Sequence, residues 1–455
     1  MKFHIASPIA LGTLALLAFA ASAQQSAQGS RVPLVITDVS VIDTRLGTTT
    51  PDMTVVILEN RIVNVGSLTD SVPEVAEVVN GRGKFLMPGL WDMHVHLSYA
   101  RESALPALVA NGVTGVRDMG SDLAELDQWR ARISSDDLVG PTIIRAGPML
   151  NGMEFNIYQL AVADASEART AVRTLHKVGV DFLKLHRRTS REAFFAIADE
   201  ARMLDLPFTG HIPMTVFPAE ASDAGQASIE HTETLFEGTF ATEFAGQDQT
   251  LAIAQWRQTE ASALFSTLVR NGTFVDPTLI AQGHLLRMLE SAEPDSRDRY
   301  IAQSARDQSE QALAGLLPQA EQFLSERRPF FRELQAVVGL MGQAEVPLLT
   351  GSDLSYLHPP GFSLHDELAL LVESGVTPKD ALRAATWNPA EFLQSQEFGS
   401  VSIGRQADLI LLDANPLDDI QNTTRIFAVV LRGRYLDRPS LDFLLQEAER
   451  LAEVN

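Results

Sequence analysis

The sequence predicts an α/β protein in which a (β/α)8 barrel of the TIM type is joined to a small β-sandwich domain. Three observations carry this prediction. Both chain ends are rich in short β-type runs, the middle alternates strand-like with helical segments, and ligand-type side chains follow several middle strands. Strands that alternate with helices are typical of a parallel sheet. The predicted bounds are 31–87 and 398–438 for the β-sandwich, 88–397 for the barrel, and 439–455 for a C-terminal helix.

The β-sandwich is predicted from both ends of the chain. The runs LVITDVSVID at 34–43 and TVVILENRIVNVG at 54–66 are rich in β-branched residues and are bounded by turn residues. Near the other end, ADLILLD at 407–413 and FAVVLRGRYLD at 427–437 have the same character. Two β-rich flanks around a long middle segment indicate one small domain to which both ends contribute.

The barrel is predicted from the middle of the chain. Thr189 with Glu192 forms a capping-box pattern before one helical segment, and Thr377 followed by Pro378 is a start signal for another. Residues 280–345 are charged and helical in pattern, and we interpret them as a helical insertion before the last strand, with an elongated pair of barrel helices as the alternative. The eight candidate strands are 90–96, 113–118, 142–147, 180–186, 207–211, 228–232, 273–278 and 347–353.

The N-terminal segment is predicted to be a secretory signal peptide, residues 1–23. Lys2 supplies the basic start, 5–20 is apolar, and Ala21-Ser22-Ala23 forms a small-x-small cleavage site. The apolar run of about 16 residues is shorter than the ~20 that span a bilayer, so we expect no stable membrane anchor after cleavage. The sequence thus predicts a periplasmic or secreted protein.

Composition excludes several classes of function. The net charge is −22, from 36 basic and 58 acidic residues, and no basic run occurs, so nucleic acid is not expected as a partner. The chain has no cysteine, which excludes disulfides and thiolate ligands. Any metal site must therefore use histidine, carboxylate or a modified side chain.

The stretch MHVH contains His94 and His96, which point to the same side if they lie on a strand. Two imidazoles on one rigid strand make half a metal site, but chance alone gives such a pair roughly 0.2 times in a chain with this histidine content. The pair therefore needs supporting residues elsewhere.

Four further residues supply that support. Lys184 lies within an apolar run, His211 and His231 each end one, and Asp353 ends the eighth predicted strand. Taken singly, each has an ordinary explanation: a lysine that reaches solvent or pairs with Asp181, core histidines, and a turn aspartate. Together they lie at the carboxyl ends of barrel strands, which is the catalytic face of this fold.

With these motifs in place, the chain resembles the amidohydrolase superfamily of metal-dependent hydrolases, and within it the imidazolonepropionase-like and Xaa-Pro-dipeptidase-like branches. The resemblance spans nearly the whole chain after residue 23. It rests on PGLWDMHVHL, DFLKLH, GHIP, SIEHTETL, TGSD and the segment from Gly375 to Asp413.

The resemblance implies roles for six residues. His94, His96 and Asp353 would hold a first, more buried metal ion, His211 and His231 would hold a second, and Lys184, carboxylated by CO₂, would bridge the two. Zn²⁺ is the expected metal, with Mn²⁺, Fe²⁺ and Co²⁺ as alternatives. Asp353 would also act as the catalytic base and then acid.

The expected activity is hydrolysis of a C–N bond, amide or peptide, in a small-molecule substrate. A mononuclear deaminase, a lactone or ester hydrolase, and a non-catalytic metal-binding protein are the alternatives. Arg187 and Arg188 follow the fourth strand and are candidates to bind a substrate carboxylate, with solvated surface charge as the alternative. Weaker candidates for the same face are Asp118, Tyr158, Asp276 and His365.

Overall fold

The computed structural model describes residues 32–67, 73, 75–291, 295–355 and 357–454. The predicted signal peptide lies outside these residues. No helix among the described residues combines the length and apolar character needed to cross a membrane.

The described strands and helices follow the predicted alternation. The strands are β1 (Leu34–Asp43), β2 (Thr48–Leu58), β3 (Arg61–Gly66), β4 (Glu77–Asn80), β5 (Phe85–Pro88), β6 (Leu90–Val95), β7 (Val113–Asp118), β8 (Thr142–Arg145), β9 (Met149–Asn151), β10 (Gln159–Ala161), β11 (Leu183–Leu185), β12 (Phe208–Gly210), β13 (Ser228–Glu230), β14 (Phe274–Asp276), β15 (Leu409–Leu412), β16 (Ile426–Leu431) and β17 (Arg434–Leu436). The α-helices are α1 (Leu97–Ala100), α2 (Ala104–Ala110), α3 (Leu123–Ser134), α4 (Ala165–Val178), α5 (Arg191–Met203), α6 (Pro218–Asp223), α7 (Thr239–Glu243), α8 (Gln249–Thr259), α9 (Ala261–Asn271), α10 (Leu279–Glu290), α11 (Gln303–Leu316), α12 (Ala320–Gln343), α13 (Phe362–Glu373), α14 (Pro378–Ala384), α15 (Trp387–Phe392) and α16 (Arg438–Ala452).

Both ends of the chain contribute to one mixed sheet. Its strand order is β17-β16-β15-β5-β1-β2-β3, with β4 paired to β1. β15 lies antiparallel to β5, with Leu409 opposite Pro88. Side chains on β15 alternate between two cores: Leu411 packs in the core of this sheet, whereas Ile410 packs in the main core of the chain. A strand buried on both faces explains the unbroken apolar run LILL at 409–412.

The middle of the chain forms two parallel sheets, ordered β6-β7-β8 and β10-β9-β11-β12-β13-β14. The predicted eighth strand, 347–353, lies between β14 and β6 without a continuous ladder. Single parallel bridges join Val275 to Leu348 and Val95 to Leu354. Asp92 on β6 also accepts bonds from the backbone and hydroxyl of Ser352, at 3.0 and 2.5 Å. These findings confirm an α/β fold with parallel sheets.

Helix starts follow local capping, with one correction. Thr377 caps α14 as predicted, with Pro378 as the first helical residue. The prediction of Thr189 as a cap is wrong by one residue, since Ser190 caps α5 by accepting a bond from the backbone of Ala193. Thr189 is buried, and its hydroxyl donates to the carbonyl of His186 at 2.8 Å, so it is not free to cap.

The predicted insertion is helical. Helices α10, α11 and α12 account for most of residues 279–343, and α12 packs against both α10 and the 3-10 helix Thr232–Phe236. That 3-10 helix directly follows His231, so the insertion adjoins the face on which the predicted site lies.

Candidate metal centre

Two histidines and an aspartate meet at the end of β6. The Nε2 atoms of His94 and His96 each lie 3.5 Å from Oδ1 of Asp353. The His94 side chain is fully buried, while that of Asp353 is 25% exposed and therefore accessible to a substrate. The three residues offer ligand atoms that all lie within 4.8 Å of one another.

The other predicted ligands lie beside this group. His211 and His231 directly follow β12 and β13, and the ring of His231 is 4.7 Å from that of His211 and 4.6 Å from that of His94. Lys184, on β11, is 1% exposed, and its Nζ has no hydrogen-bond partner. Burial lowers the pKa of all these histidines, His96 included, and the charge of the neighbouring Lys184 lowers it further. The structure thus brings together all six residues predicted as ligands.

The backbone adopts costly conformations around these side chains. His231 and Asp353 have φ values of 65° and 51°, and Thr278 has 45°. Such conformations cost about 1–3 kcal/mol per non-glycine residue and persist where packing enforces them. Gly210, just before His211, has φ 128°, and a Cβ there would lie 2.2 Å from the carbonyl oxygen of Leu185. Close approach of β12 to the strand of Lys184 therefore requires glycine.

Hydrogen bonds set the tautomers of two histidines. Nδ1 of His96 donates to the carbonyl of Gly120 at 3.0 Å. Nδ1 of His231 lies 2.7 Å from Oγ1 of Thr278, whose own hydrogen goes to the carbonyl of Pro277, so the histidine is the donor. In both residues Nε2 is left with a free lone pair, which is the form that binds a metal.

The electrostatics also favour metal binding. Burial lowers the pKa of His94, His211 and His231 well below the usual range and that of His96 to about 4, so all four imidazoles are neutral near pH 7. Nε2 of His94, Nζ of Lys184 and Nδ1 of His211 are buried without a hydrogen-bond partner. Leaving buried polar atoms unpaired is costly, and a bound cation removes that cost. This donor set fits a divalent metal ion.

Several residues in the site were not predicted from the sequence. The ring of His186 lies 4.5 Å from that of His211, and its Nδ1 is buried without a partner. Its position two residues after Lys184, on a strand-like run, was a usable signal. Arg117 and Glu230, both fully buried, form an ion pair at 2.9 Å beneath the histidines.

The two candidate arginines have different surroundings. Arg187 forms a 2.9 Å ion pair with Glu237, and its charge contributes to the lowered pKa of His211. Arg188 stacks over the ring of Phe155, 4.4 Å from its centroid, and contacts Met153. Both arginines are exposed.

Two of the four weaker candidates are fully hydrogen-bonded to other parts of the fold, and the other two lie near the predicted ligands. Asp118 accepts bonds from the Leu97 backbone and the Ser121 hydroxyl, and His365 is bonded through both ring nitrogens. Tyr158 packs on Tyr99, which in turn packs on the ring of His96. Asp276 is fully buried, with neither carboxylate oxygen hydrogen-bonded.

Comparison with known proteins gives the family. A family model described as the amidohydrolase family matches residues 85–436. The imidazolonepropionase of Vibrio cholerae serotype O1 is 26% identical over 389 residues, which cover 80% of this chain and 87% of the relative. The imidazolonepropionase of a Geobacillus species is 24% identical over 365 residues, which cover 74% and 77%.

Solved structures share the fold. Bottromycin amidohydrolase superposes with a TM-score of 0.74 at 22% identity, covering 92% of this chain and 90% of its own. A Xaa-Pro dipeptidase with bound methionine gives 0.67 at 19% identity, with coverage of 89% and 100%. The family generally uses divalent metals, and the buried donor groups described above are consistent with that use. The chain belongs to the amidohydrolase family and is a hydrolase that acts on carbon–nitrogen bonds.

Proposed function

We propose that the protein is a binuclear metallohydrolase of the amide or peptide bond in a small molecule, built on a closed eight-stranded barrel beside a small β-sandwich. In this proposal His94, His96 and Asp353 hold the first metal ion, and His211 and His231 hold the second. One observation carries it: donor atoms from separate strand ends converge, and several of them are buried without any partner. Zn²⁺ suits a donor set of imidazole and carboxylate.

Lys184 completes the set as a bridging carbamate in this proposal. Burial lowers the pKa of its amine to about 8, so a neutral fraction is available near pH 7. A neutral amine adds to CO₂ and releases a proton, which gives an anionic carbamate whose two oxygens suit two cations. This conversion removes a buried ammonium that has no hydrogen-bond partner.

The reaction uses residues already in place. Divalent metal ions held by His94, His96, His211, His231 and Asp353 would supply an acidic water and Lewis acidity toward the substrate carbonyl. The carboxylate of Asp353, adjacent to both His94 and His96 yet partly exposed, accepts the proton of the attacking water and passes it to the leaving nitrogen. Burial raises the pKa of Asp353 to about 7, which suits a group that both takes up and releases a proton.

The substrate is proposed to carry a carboxylate that Arg187 binds. Among the two candidate arginines, Arg187 is the one whose charge acts on the predicted ligand histidines, so it lies on the side from which a substrate approaches. It pairs with Glu237 in the free protein, and a substrate carboxylate would replace that partner. Imidazolonepropionases act, by their name, on an imidazolone, whose ring contains an amide C–N bond. Cyclic amides therefore join dipeptides and N-acyl amino acids in the substrate screen.

The central test is the metal content of Lys184→Ala. We expect about two Zn²⁺ per wild-type chain and about one in the variant, with partial recovery of the second ion and of activity when short carboxylic acids are added. Lys177→Ala, an exposed lysine on α4, is the matched control and should keep both ions. Two tightly bound ions in untreated Lys184→Ala would contradict the bridging role.

We further propose that the protein is exported to the periplasm or secreted after cleavage behind Ala23. The basic Lys2, the apolar run 5–20 and the small residues before position 24 support this location. Expression of the full chain and intact-mass measurement of the exported fraction should give a protein that begins at Gln24. A chain that keeps residues 1–23 and stays in the cytoplasm would overturn the proposal.

A further inference from the structure

A fully buried ionic cluster lies beneath the metal centre. Arg117 on β7 donates from Nη2 to Glu230 at 2.9 Å, from Nη1 to the Ser228 hydroxyl at 2.9 Å, and from Nε to the carbonyl of Met93 at 2.6 Å. Its Nη2 also lies 3.6 Å from Asp276. Desolvating such charges costs several kcal/mol per ion, so a buried pair is weak evidence for a purely stabilising role.

His94 separates this cluster from the predicted metal ligands. Its Nε2 faces Asp353, and its Nδ1 lies 3.3 Å from Oε2 of Glu230, the oxygen that also accepts from Arg117. Asp276, whose oxygens have no hydrogen-bond partner, offers a carboxylate oxygen within 4.8 Å of ligand atoms of His94 and Glu230. The two nitrogens of His94 therefore face different carboxylates, Nε2 that of Asp353 and Nδ1 that of Glu230.

We propose that Arg117 is a positioning residue that holds the carboxylate of Glu230 against Nδ1 of His94, so that the imidazole keeps its proton there and turns the lone pair of Nε2 to the metal. This inference rests on the proposed function, in which His94 is a ligand. His96 and His231 have neutral acceptors at Nδ1, whereas the group 3.3 Å from Nδ1 of His94 is a carboxylate, which we expect to accept the Nδ1 proton once a metal ion binds Nε2. A carboxylate at this position makes the imidazole a stronger ligand, and loss of such partners typically lowers metal affinity 10–100-fold.

The cluster does not serve as a cation site of its own. His94, Glu230 and Asp276 satisfy the spacing of a ligand set, but a guanidinium already lies 2.9 and 3.6 Å from the two carboxylates. A metal ion there would have to displace a positive charge that is hydrogen-bonded on three sides. Arg117 instead supplies the charge that keeps Glu230 in place.

The test measures Zn²⁺ affinity of metal-free protein by chelator competition, together with circular dichroism to verify folding. Glu230→Gln should bind the first Zn²⁺ 10–100-fold more weakly than wild type. Arg117→Met should lose more, because it leaves a buried carboxylate without its cation. Arg117→Lys, which retains a cation, should lie within about tenfold of wild type.

The decisive comparison is the double variant Arg117→Met/Glu230→Gln. A neutral amide needs no cation, so the double variant should regain the folding stability that Arg117→Met loses. Its Zn²⁺ affinity should nevertheless stay at the level of Glu230→Gln, 10–100-fold below wild type, which a role in folding stability alone does not predict. Ser222→Ala, which removes a buried hydroxyl that bonds to Thr273 outside the cluster, is the control and should stay within about threefold. If Arg117→Met fails to fold, ¹⁵N NMR of histidine in the metal-free wild type still tests the idea, since a proton on Nε2 of His94 overturns it.

The outcomes separate this inference from the proposed function. Wild-type protein that binds no Zn²⁺ tightly contradicts the metal site itself. Wild type that binds two Zn²⁺ ions while Glu230→Gln binds them equally well retains the metal site and overturns the role of Arg117 and Glu230.

Discussion

The two ends of the parallel strands differ in how their polar groups are partnered. At the carboxyl ends, His94, Lys184 and His211 bury nitrogens without hydrogen-bond partners. At the amino ends lies a cavity of about 810 Å³ with Trp91 and Phe398 in its wall. Its lining includes no side chain with a buried unpartnered polar atom among the described residues.

The acidic groups at the amino ends show the contrast in detail. Asp181 accepts from the Arg145 backbone at 2.8 Å, and Asp408 accepts from the Arg432 backbone and the Gln406 side chain, both at 2.6 Å. These carboxylates are already hydrogen-bonded and have no need of a ligand. Buried polar atoms without partners, rather than a large cavity, therefore distinguish the carboxyl ends of these parallel strands.

The largest effect is expected at Asp353. Asp353→Asn keeps the size of the side chain but cannot accept and return a proton, so kcat should fall at least about 100-fold. Folding, measured by circular dichroism, and most of the bound metal, measured by elemental analysis, should persist. Turnover close to that of the wild type would remove Asp353 from the mechanism and weaken the contrast between the two ends.

At the amino ends of the strands, we expect a substitution to lower the stability of the fold and to leave the activity unchanged. The ring of Phe398 stacks on Trp91 with centroids 4.1 Å apart. Phe398→Ala should lower the free energy of unfolding by about 2 kcal/mol, since it opens space beside a packed aromatic pair. Ile403→Ala, at a side chain that is 63% exposed, is the control. Denaturant titration measures the free energy of unfolding of both variants, and the kcat/KM of each should stay within twofold of wild type. A large loss of activity in Phe398→Ala would show that the two ends of the strands are coupled.

A smaller effect separates the two arginines at the carboxyl end. Arg187→Met should raise KM about tenfold for substrates with a carboxylate and leave kcat nearly unchanged, as expected for a binding contact. Arg188→Met, whose side chain stacks on Phe155, should change KM less than threefold. Steady-state kinetics on a substrate and its carboxamide analogue make the comparison, and equal effects in both variants would exclude a dedicated clamp.

The smallest effect concerns a partnered ion pair at the same end. Arg191 and Glu220 contact each other at 2.5 and 2.8 Å, and this contact lowers the pKa of Glu220 to about 2. The resulting stabilisation is present above the ordinary pKa of 4.5 and is lost as the pH falls through 2. Because both side chains are more than one third exposed, it should amount to less than about 1 kcal/mol.

The measurement compares metal-free wild type with Glu220→Gln in thermal melts from pH 7 to pH 2. The difference in Tm should be largest at pH 7 and shrink toward pH 2, while kcat at pH 7 stays unchanged. If Glu220→Gln lost activity, a carboxylate that already has a partner would be functional. The lack of a hydrogen-bond partner would then not distinguish the functional groups at the carboxyl ends.

Much of the site could be predicted because its geometry is local. His94 lies on β6 and His96 directly follows that strand, Lys184 lies within an apolar run, and the other predicted ligands each end one. Strand periodicity and parallel direction therefore bring them to one face. The fold class followed from the same alternation. The segment 347–353 was recognisable as strand-like, but its pairing through single bridges was not, because the partners Val275 and Val95 lie far away in the sequence.

The buried ion pair, the cap of α5 and the histidine tautomers could not be predicted, because they depend on contacts that the sequence pattern does not show. Arg117 and Glu230 are 113 residues apart, and neither has a neighbour in sequence that indicates an ion pair. The choice of Ser190 over Thr189 as a cap was decided by burial of the threonine, which local pattern does not reveal. Tautomers likewise depend on acceptors such as Gly120 and Thr278, which the fold brings to the rings.

The position of β15 has a consequence for how the chain acquires its structure. Leu409 pairs with Pro88, more than 300 residues away, and Ile410 fills part of the main core. Closing so long a loop is entropically costly, and such contacts form slowly. A nascent chain that ends before residue 409 leaves one edge of β5 unpaired and Met87 without its neighbour, so an incomplete product should be open to proteolysis and aggregation until its last strands are added.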